Sequence, residues 1–157
     1  NSMKRSAAIL LGLLASAGSL AGQVVPIPKS DFDEAAAQYR SYALGEFQAV
    51  VESWVGAVND GSPERAARLY TEDAYLDIQQ PARGREAVRD LLRSWTSQVS
   101  HLQVGLSDFD ASGNMAYGTL QVRVSPVDGR TRTGTLLLVM RKQGRDWRIR
   151  AQTLTLL

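Results

Sequence analysis

Residues 46–92, EFQAVVESWVGAVNDGSPERAARLYTEDAYLDIQQPARGREAVRDLL, carry a start or stop signal at every change of periodicity. No other stretch restricts the possible folds as strongly. Phe47, Val50, Val51, Trp54, Val55 and Val58 recur at helical spacing, so one face of a first long helix is apolar and needs a partner. Asn59-Asp60-Gly61 stops it. Ser62 then supplies an N-cap hydroxyl and Pro63 stands where a missing N–H costs nothing, which predicts a short helix carrying Ala66, Ala67, Leu69 and Tyr70 inward. Thr71-Glu72-Asp73 ends that helix, and a strand over 75–79 is expected to follow. A loop around Pro81 and Gly84 leads into a third helix with the stripe Val88, Leu91, Leu92, Trp95 and Val99.

Beyond residue 99 the period becomes two. Leu102, Val104 and Leu106 alternate with Gln103, Gly105 and Ser107; turns at 110–114, 126–129 and 144–146 separate strands over 115–124, 130–141 and 147–156. Four strands with short connections predict an antiparallel meander, to which the 75–79 strand adds an edge. The run 135–140 is apolar on both faces. It is therefore expected to be a central strand covered by the helices on one side and by a second partner on the other.

The start of the chain reads differently. After Asn1 and Ser2, Met3 opens a basic pair, Lys4-Arg5, followed by an apolar run over 7–14 and small residues over 15–22, the order of a secretory signal peptide. The run is short for a bilayer span, and cleavage is expected near Ala21 or Gly22. The reading is thus a signal peptide over 1–22, an extended linker over 23–29 with Pro26 and Pro28, and one domain over 30–157 in an exported, periplasmic or secreted protein. Membrane contact is expected only through the signal peptide. No cysteine is present, so neither disulfides nor a lipoprotein anchor contributes, and the core must supply the stability. Ser30 or Asp31 is placed to cap a helix, which either continues through Gly45 or kinks there.

Setting aside Lys4 and Arg5 from 18 basic residues leaves 16, against 16 acidic ones, so the mature protein is near neutral. The charges are segregated: residues 30–82 hold ten acidic and three basic side chains, residues 115–157 two acidic and eight basic. Without interleaved aromatic residues, the basic half does not read as a nucleic-acid surface.

VESWVGAVNDGSPERAARLYTEDAYLDI, the Gly84-Arg85-Glu86-Ala87-Val88 opening of the third helix and the terminal Asp146-Trp147-Arg148-Ile149 together resemble the nuclear transport factor 2-like superfamily. That group includes ketosteroid isomerase, scytalone dehydratase and SnoaL-like polyketide cyclases. The resemblance spans about residues 47–155. It implies an α+β cone, with three to four N-terminal helices packed in a strongly curved antiparallel sheet, an open apolar pocket, and a homodimer formed through the outer sheet face.

It does not imply the isomerase reaction. Trp54 stands where the isomerase has its oxyanion-stabilising tyrosine, and an indole N–H is a weaker acid than a phenol. The general-base position falls on Ile78, and the position of the protonated aspartate falls near Leu138. A one-residue slip would bring Asp77 to the base position, but such a slip also turns the side chain to the other face. His101 is the only histidine, too few for zinc or for a scytalone-type pair. Asp77 with Arg123 or Arg150 imitates part of an Asp-Arg-Asp hydrolase, with no second aspartate to complete it.

The residues expected to line an apolar pocket are Trp54, Tyr70, Ile78, Trp95, Tyr117 and Gln152, with Tyr117 or Gln152 as the polar contact. The expected function is binding of a small apolar or amphipathic molecule, with no cofactor and no clear catalytic machinery. Two alternatives stand beside it: a SnoaL-like isomerase, cyclase or hydrolase with Asp77 as base, and an interaction module whose cavity its own side chains fill. Arg85, Arg89 and Arg93, spaced four apart on the third helix, read as a solvated face.

Overall fold

The structure is a computed structural model that describes residues 26 and 28–157. The expected signal peptide, and the linker apart from Pro26, Pro28 and Lys29, lie outside the described residues. The chain divides into two compact units, Asn1–Ala35 and Ala36–Leu157. Of the first, the described part is chiefly the opening of helix α1 (Lys29–Asn59), which already includes Lys29 of the expected linker. Asp31 N–H donates to the Pro28 carbonyl at 3.0 Å to start it. The helix passes through Gly45 without a break.

In the second unit the elements are the rest of α1, α2 (Pro63–Ala67), β1 (Tyr70–Ile78), β2 (Gln80–Arg83), α3 (Arg85–Thr96), β3 (Val99–Ser112), β4 (Met115–Pro126), β5 (Arg132–Gln143) and β6 (Asp146–Leu156). Ser62 caps α2 through Arg65 N–H with Pro63 in the first turn, as the sequence implies. The next elements depart from expectation. Tyr70 is not on the short helix but opens β1, and the expected Pro81 loop is strand β2, hairpinned to β1 through Gln79 at φ 68°.

One six-stranded sheet has the order β2-β1-β6-β5-β4-β3. The expected meander is β3 to β6. The first strand, however, does not add an antiparallel edge: β1 lies inside the sheet, parallel to β6, and β2 is the edge. A parallel pairing demands a long crossover, and α3 with the three meander strands supplies it.

Among the described residues the register shifts at four places, and two of these are bulges that change which residues face inward. In β6 the pairing skips Arg150, so Trp147 and Ile149 face inward before it and Gln152 and Leu154 after it. In β3 the skip at Ser107 does the same between Leu102 and Phe109. Each extra residue bends and twists its strand, which gives the sheet its concave face.

The apolar face of α1 fills that concavity with Phe47, Val51, Trp54, Ala57 and Val58, and α3 adds Val88, Leu92 and Trp95. Two contacts fix the seat of α1. Phe47 lies over Gly118, where a Cβ would come within 2.7 Å of the ring, and meets Phe109 edge-on at 5.1 Å. At the other end, the Asn59 side chain pairs with Leu102 as a strand would, donating to its carbonyl at 3.0 Å and accepting its N–H at 2.7 Å. Leu136, Leu138 and Met140 of β5 face the helices, whereas Leu137 is exposed on the outer face.

Two alanine substitutions should act in opposite directions. Gly118→Ala forces Phe47 out of its seat and should destabilise by about 1–3 kcal/mol, the usual cost of overpacking. Gly45→Ala, in an exposed helical turn with open space around it, should stabilise by up to about 1 kcal/mol. Denaturant unfolding of both variants would check the signs.

Candidate functional site

The concave face holds a buried polar chain in apolar surroundings. Trp54 is brought by α1, Tyr70 by the start of β1 and Gln152 by β6, just beyond the Arg150 bulge. Trp54 Nε1–H donates to the Tyr70 hydroxyl at 2.9 Å, and that hydroxyl donates to Gln152 Oε1. All three are closed from solvent, at 1%, 0% and 1% exposure. Gln152 Nε2 is buried without a partner.

The surroundings of that amide are apolar. In the ladder Gln152 stands between Leu76 of β1 and Leu138 of β5, both fully buried on the same face. Burial pushes the Tyr70 hydroxyl well above the ordinary tyrosine range, opposed only in part by the Trp54 hydrogen bond. The phenol is therefore a neutral donor at physiological pH. The direction of donation runs from the indole through the phenol to the amide carbonyl, and each bond polarises the next.

Trp95 stacks on Trp54 at 6.0 Å with 17° between the ring planes, and Ile78 is buried on the inner face of β1. Five of the six expected pocket residues are therefore interior. Tyr117 is the exception: it is 47% exposed on the outer face of β4, opposite Val139, because its neighbours Ala116 and Gly118 take the inner positions. Asp77 also faces away. Leu76 and Ile78 occupy the inner positions of β1, while Asp77 receives the Tyr75 hydroxyl at 3.3 Å and borders a cleft of about 350 Å³ with Arg132 and Thr155. His101 is exposed on β3.

The larger open clefts are ringed by charged side chains. One of about 830 Å³ is bordered by Arg68, Arg83, Arg85, Arg89 and Glu72; another of about 590 Å³ by Glu72, Asp73, Arg85, Arg141 and Arg148. Neither is lined by Trp54, Tyr70, Trp95 or Gln152. Among the described residues no three His, Cys, Asp or Glu side chains cluster as metal ligands, and no helix is long and apolar enough to cross a membrane.

The link between Tyr70 and Gln152 escaped the sequence reading because it depends on a parallel strand pair and on a bulge. A trace was present: the apolar residues of the last strand change parity, from Trp147 and Ile149 to Leu154 and Leu156.

Raising the pH should expose the relay. The folded-state pKa of Tyr70 lies above its ordinary value near 10, so the native state keeps a proton that the unfolded chain loses. Stability is fully present below pH 10 and should fall above it, and Tyr70→Phe should flatten that alkaline limb in unfolding titrations followed by circular dichroism.

Among known structures, the fold matches a variant of a protein of unknown function from Mycobacterium tuberculosis (TM-score 0.65, 21% identity, covering 74% of this chain and 72% of that one). It also matches a nuclear transport factor 2-like protein of unknown function from Pseudomonas putida (0.63, 18%, 73% and 87%). A third match is a protein provisionally named scytalone dehydratase from Novosphingobium aromaticivorans (0.62, 15%, 74% and 85%). At these identities the likeness is one of fold, the nuclear transport factor 2-like cone. No curated protein matches the chain by sequence. The family model of the SnoaL-like domain matches residues 51–152, which include α2, β1, β2, α3 and β3 to β5 whole as well as the Trp54, Tyr70 and Gln152 positions. The chain belongs to the SnoaL-like domain family.

Proposed function

We propose that this domain binds a small, largely apolar molecule carrying one hydrogen-bond acceptor, received by the Gln152 amide at the end of the relay. The observation that supports this is the unpartnered Gln152 Nε2 in an otherwise apolar core. A buried donor left unsatisfied costs about 1–3 kcal/mol, and a carbonyl or hydroxyl oxygen reaching it would recover that cost. Trp54 and Trp95 offer the flat apolar surface, and Leu76 and Leu138 flank the amide. The reading includes no acid–base step: Asp77 faces outward and His101 is exposed. The name of the Novosphingobium neighbour, scytalone dehydratase, is not carried over, since this chain has a single histidine and it is exposed.

A specific observation favours a second reading. Trp54, Tyr70, Ile78 and Gln152 are each at most 1% exposed, so the interior is closed in this conformation. Binding would have to open it, and the apparent affinity falls by the fraction of molecules that are open. A core that never opens would be an interaction module with a self-filled cavity.

The signal-like segment, in this reading, takes the domain out of the cell. A second copy of the chain covers the outer-face patch of Tyr117, Leu137 and Val139. If so, Leu137→Arg should convert a dimer to a monomer by light scattering, without loss of the fold.

Native mass spectrometry of the mature chain, beginning near Gln23 and purified gently, tests the main reading. Extra small-molecule mass on the wild type, lost in folded Gln152→Leu, is the expected result. A clean mass for both would shift the assignment to the self-filled module.

A further inference from the structure

On the outer side of the sheet, away from the relay, Arg141 of β5 and Arg148 of β6 stand directly opposite each other in the ladder. Like charges paired this way destabilise a sheet. The Arg150 bulge places a third arginine beside them, and α3 brings Arg85 to the same cleft of about 590 Å³. Asp73 offsets only part of that repulsion, and a local arrangement that works against folding is a mark of a functional site.

The carboxylates present do not neutralise this group. Arg141 and Arg150 share one partner, Asp73, at 3.5 and 3.2 Å. Arg85 donates through Nε and one terminal nitrogen to the Tyr70 carbonyl, at 3.2 and 2.9 Å, and Arg148 donates to the Arg68 carbonyl. Those acceptors are uncharged backbone groups. They orient the guanidinium forks while leaving their charge in place. The nearest carboxylate to Arg85 is Glu72 at 4.0 Å, 90% exposed and free to swing aside, and Arg148 has the largely exposed Asp146 at 3.6 Å.

Three guanidinium groups line the cleft, those of Arg85 and Arg148 oriented by backbone carbonyls and that of Arg141 sharing Asp73 with the neighbouring Arg150, and together they make a site for a compact doubly charged oxyanion. We propose that this cleft binds a phosphate monoester or inorganic phosphate, with Arg148 and Arg85 supplying planar two-point contacts and Arg141 contributing charge. Arginine matches this ligand because its fork presents parallel N–H donors to tetrahedral oxygens. Phosphate carries about −1.5 to −2 charge near neutral pH. Exposed Glu64 and Glu86 border the adjoining cleft and Glu72 stands between the two, so an extended polyanion is repelled and the ligand is a small anion rather than a nucleic-acid strand. This site meets the relay only at the Tyr70 backbone carbonyl and uses none of its side chains, so the two readings are tested by different variants.

Calorimetric titration of the folded protein with inorganic phosphate and with phenyl phosphate, at low ionic strength, tests the proposal. Saturable one-to-one binding is expected. Arg148→Gln and Arg141→Gln should each weaken it about ten- to a hundredfold, the loss of one charge-assisted contact. Arg123→Gln, outside the cleft, should leave it unchanged. Should Arg148→Gln fail to fold, Arg148→Lys keeps the charge but loses the fork, and weaker binding is again expected. The proposal is overturned by the absence of saturable binding of either anion. Equal weakening by Arg123→Gln and the cleft variants would also overturn it, since that would report only net charge.

Discussion

The seating of one face of α1 in the concavity of the sheet is the constraint on which the rest of the domain depends. A helix in a protein owes most of its stability to the packing of its apolar face, and the stripe of α1 is what the sheet must cover. The seat is specific at both ends. Phe47 fits only because position 118 has no side chain, and Asn59 substitutes for a neighbouring strand at Leu102. Between them, Trp54 reaches the parallel seam between β1 and β6. That seam joins parts of the chain far apart in sequence, and a hydrogen bond from the helix to Tyr70 and on to Gln152 ties all three elements together.

This buried chain of polar groups has two consequences that pull apart. A satisfied network in low dielectric is strong and fixes one arrangement of the core, since any slip of β6 would strand the Tyr70 hydroxyl. An incomplete network is costly, and this one ends on an amide with no partner. Register control explains the bonds that are made, and the open donor at Gln152 Nε2 is what the proposed binding reading rests on. The same closure that makes the amide costly also bars it from solvent, which is why opening is inseparable from any binding at this point.

The two faces of the sheet divide the chemistry. Inside, aromatic and aliphatic side chains surround a single neutral relay; outside, the segregated charges of the two halves of the chain meet. Asp73 of the acidic half holds Arg141 and Arg150 of the basic half, and the Thr71 hydroxyl, followed by those arginines, keeps its carboxyl below the usual range. The stability this contributes is present above the ordinary carboxylate pKa and is lost as pH falls through the lowered one. Because Asp73 is largely exposed, the effect is screened by salt. Asp77, the residue the sequence offered as a base, also belongs to this outer face.

The helical spacing from Phe47 to Val58, the Ser62-Pro63 cap, the α3 stripe and the four alternating strands are local patterns, and the sequence by itself determined them. It also put Trp54, Tyr70, Ile78 and Trp95 on inward-facing apolar sets, because large apolar and aromatic residues in these periods have to be buried, and it offered Gln152 only as the polar contact of a pocket. Tertiary structure decided what depends on pairing partners distant in the chain. It turned Tyr70 from a helix residue into the start of a strand, moved β1 from an edge to a parallel place beside β6, and made a strand of the Pro81 loop. It sent Tyr117 and Asp77 to the outer face, because a strand's alternation fixes which residues lie together but not which set meets the core. The Arg150 bulge is the clearest case: one unpaired residue reverses the facing of the strand end that follows and brings Gln152 to Tyr70.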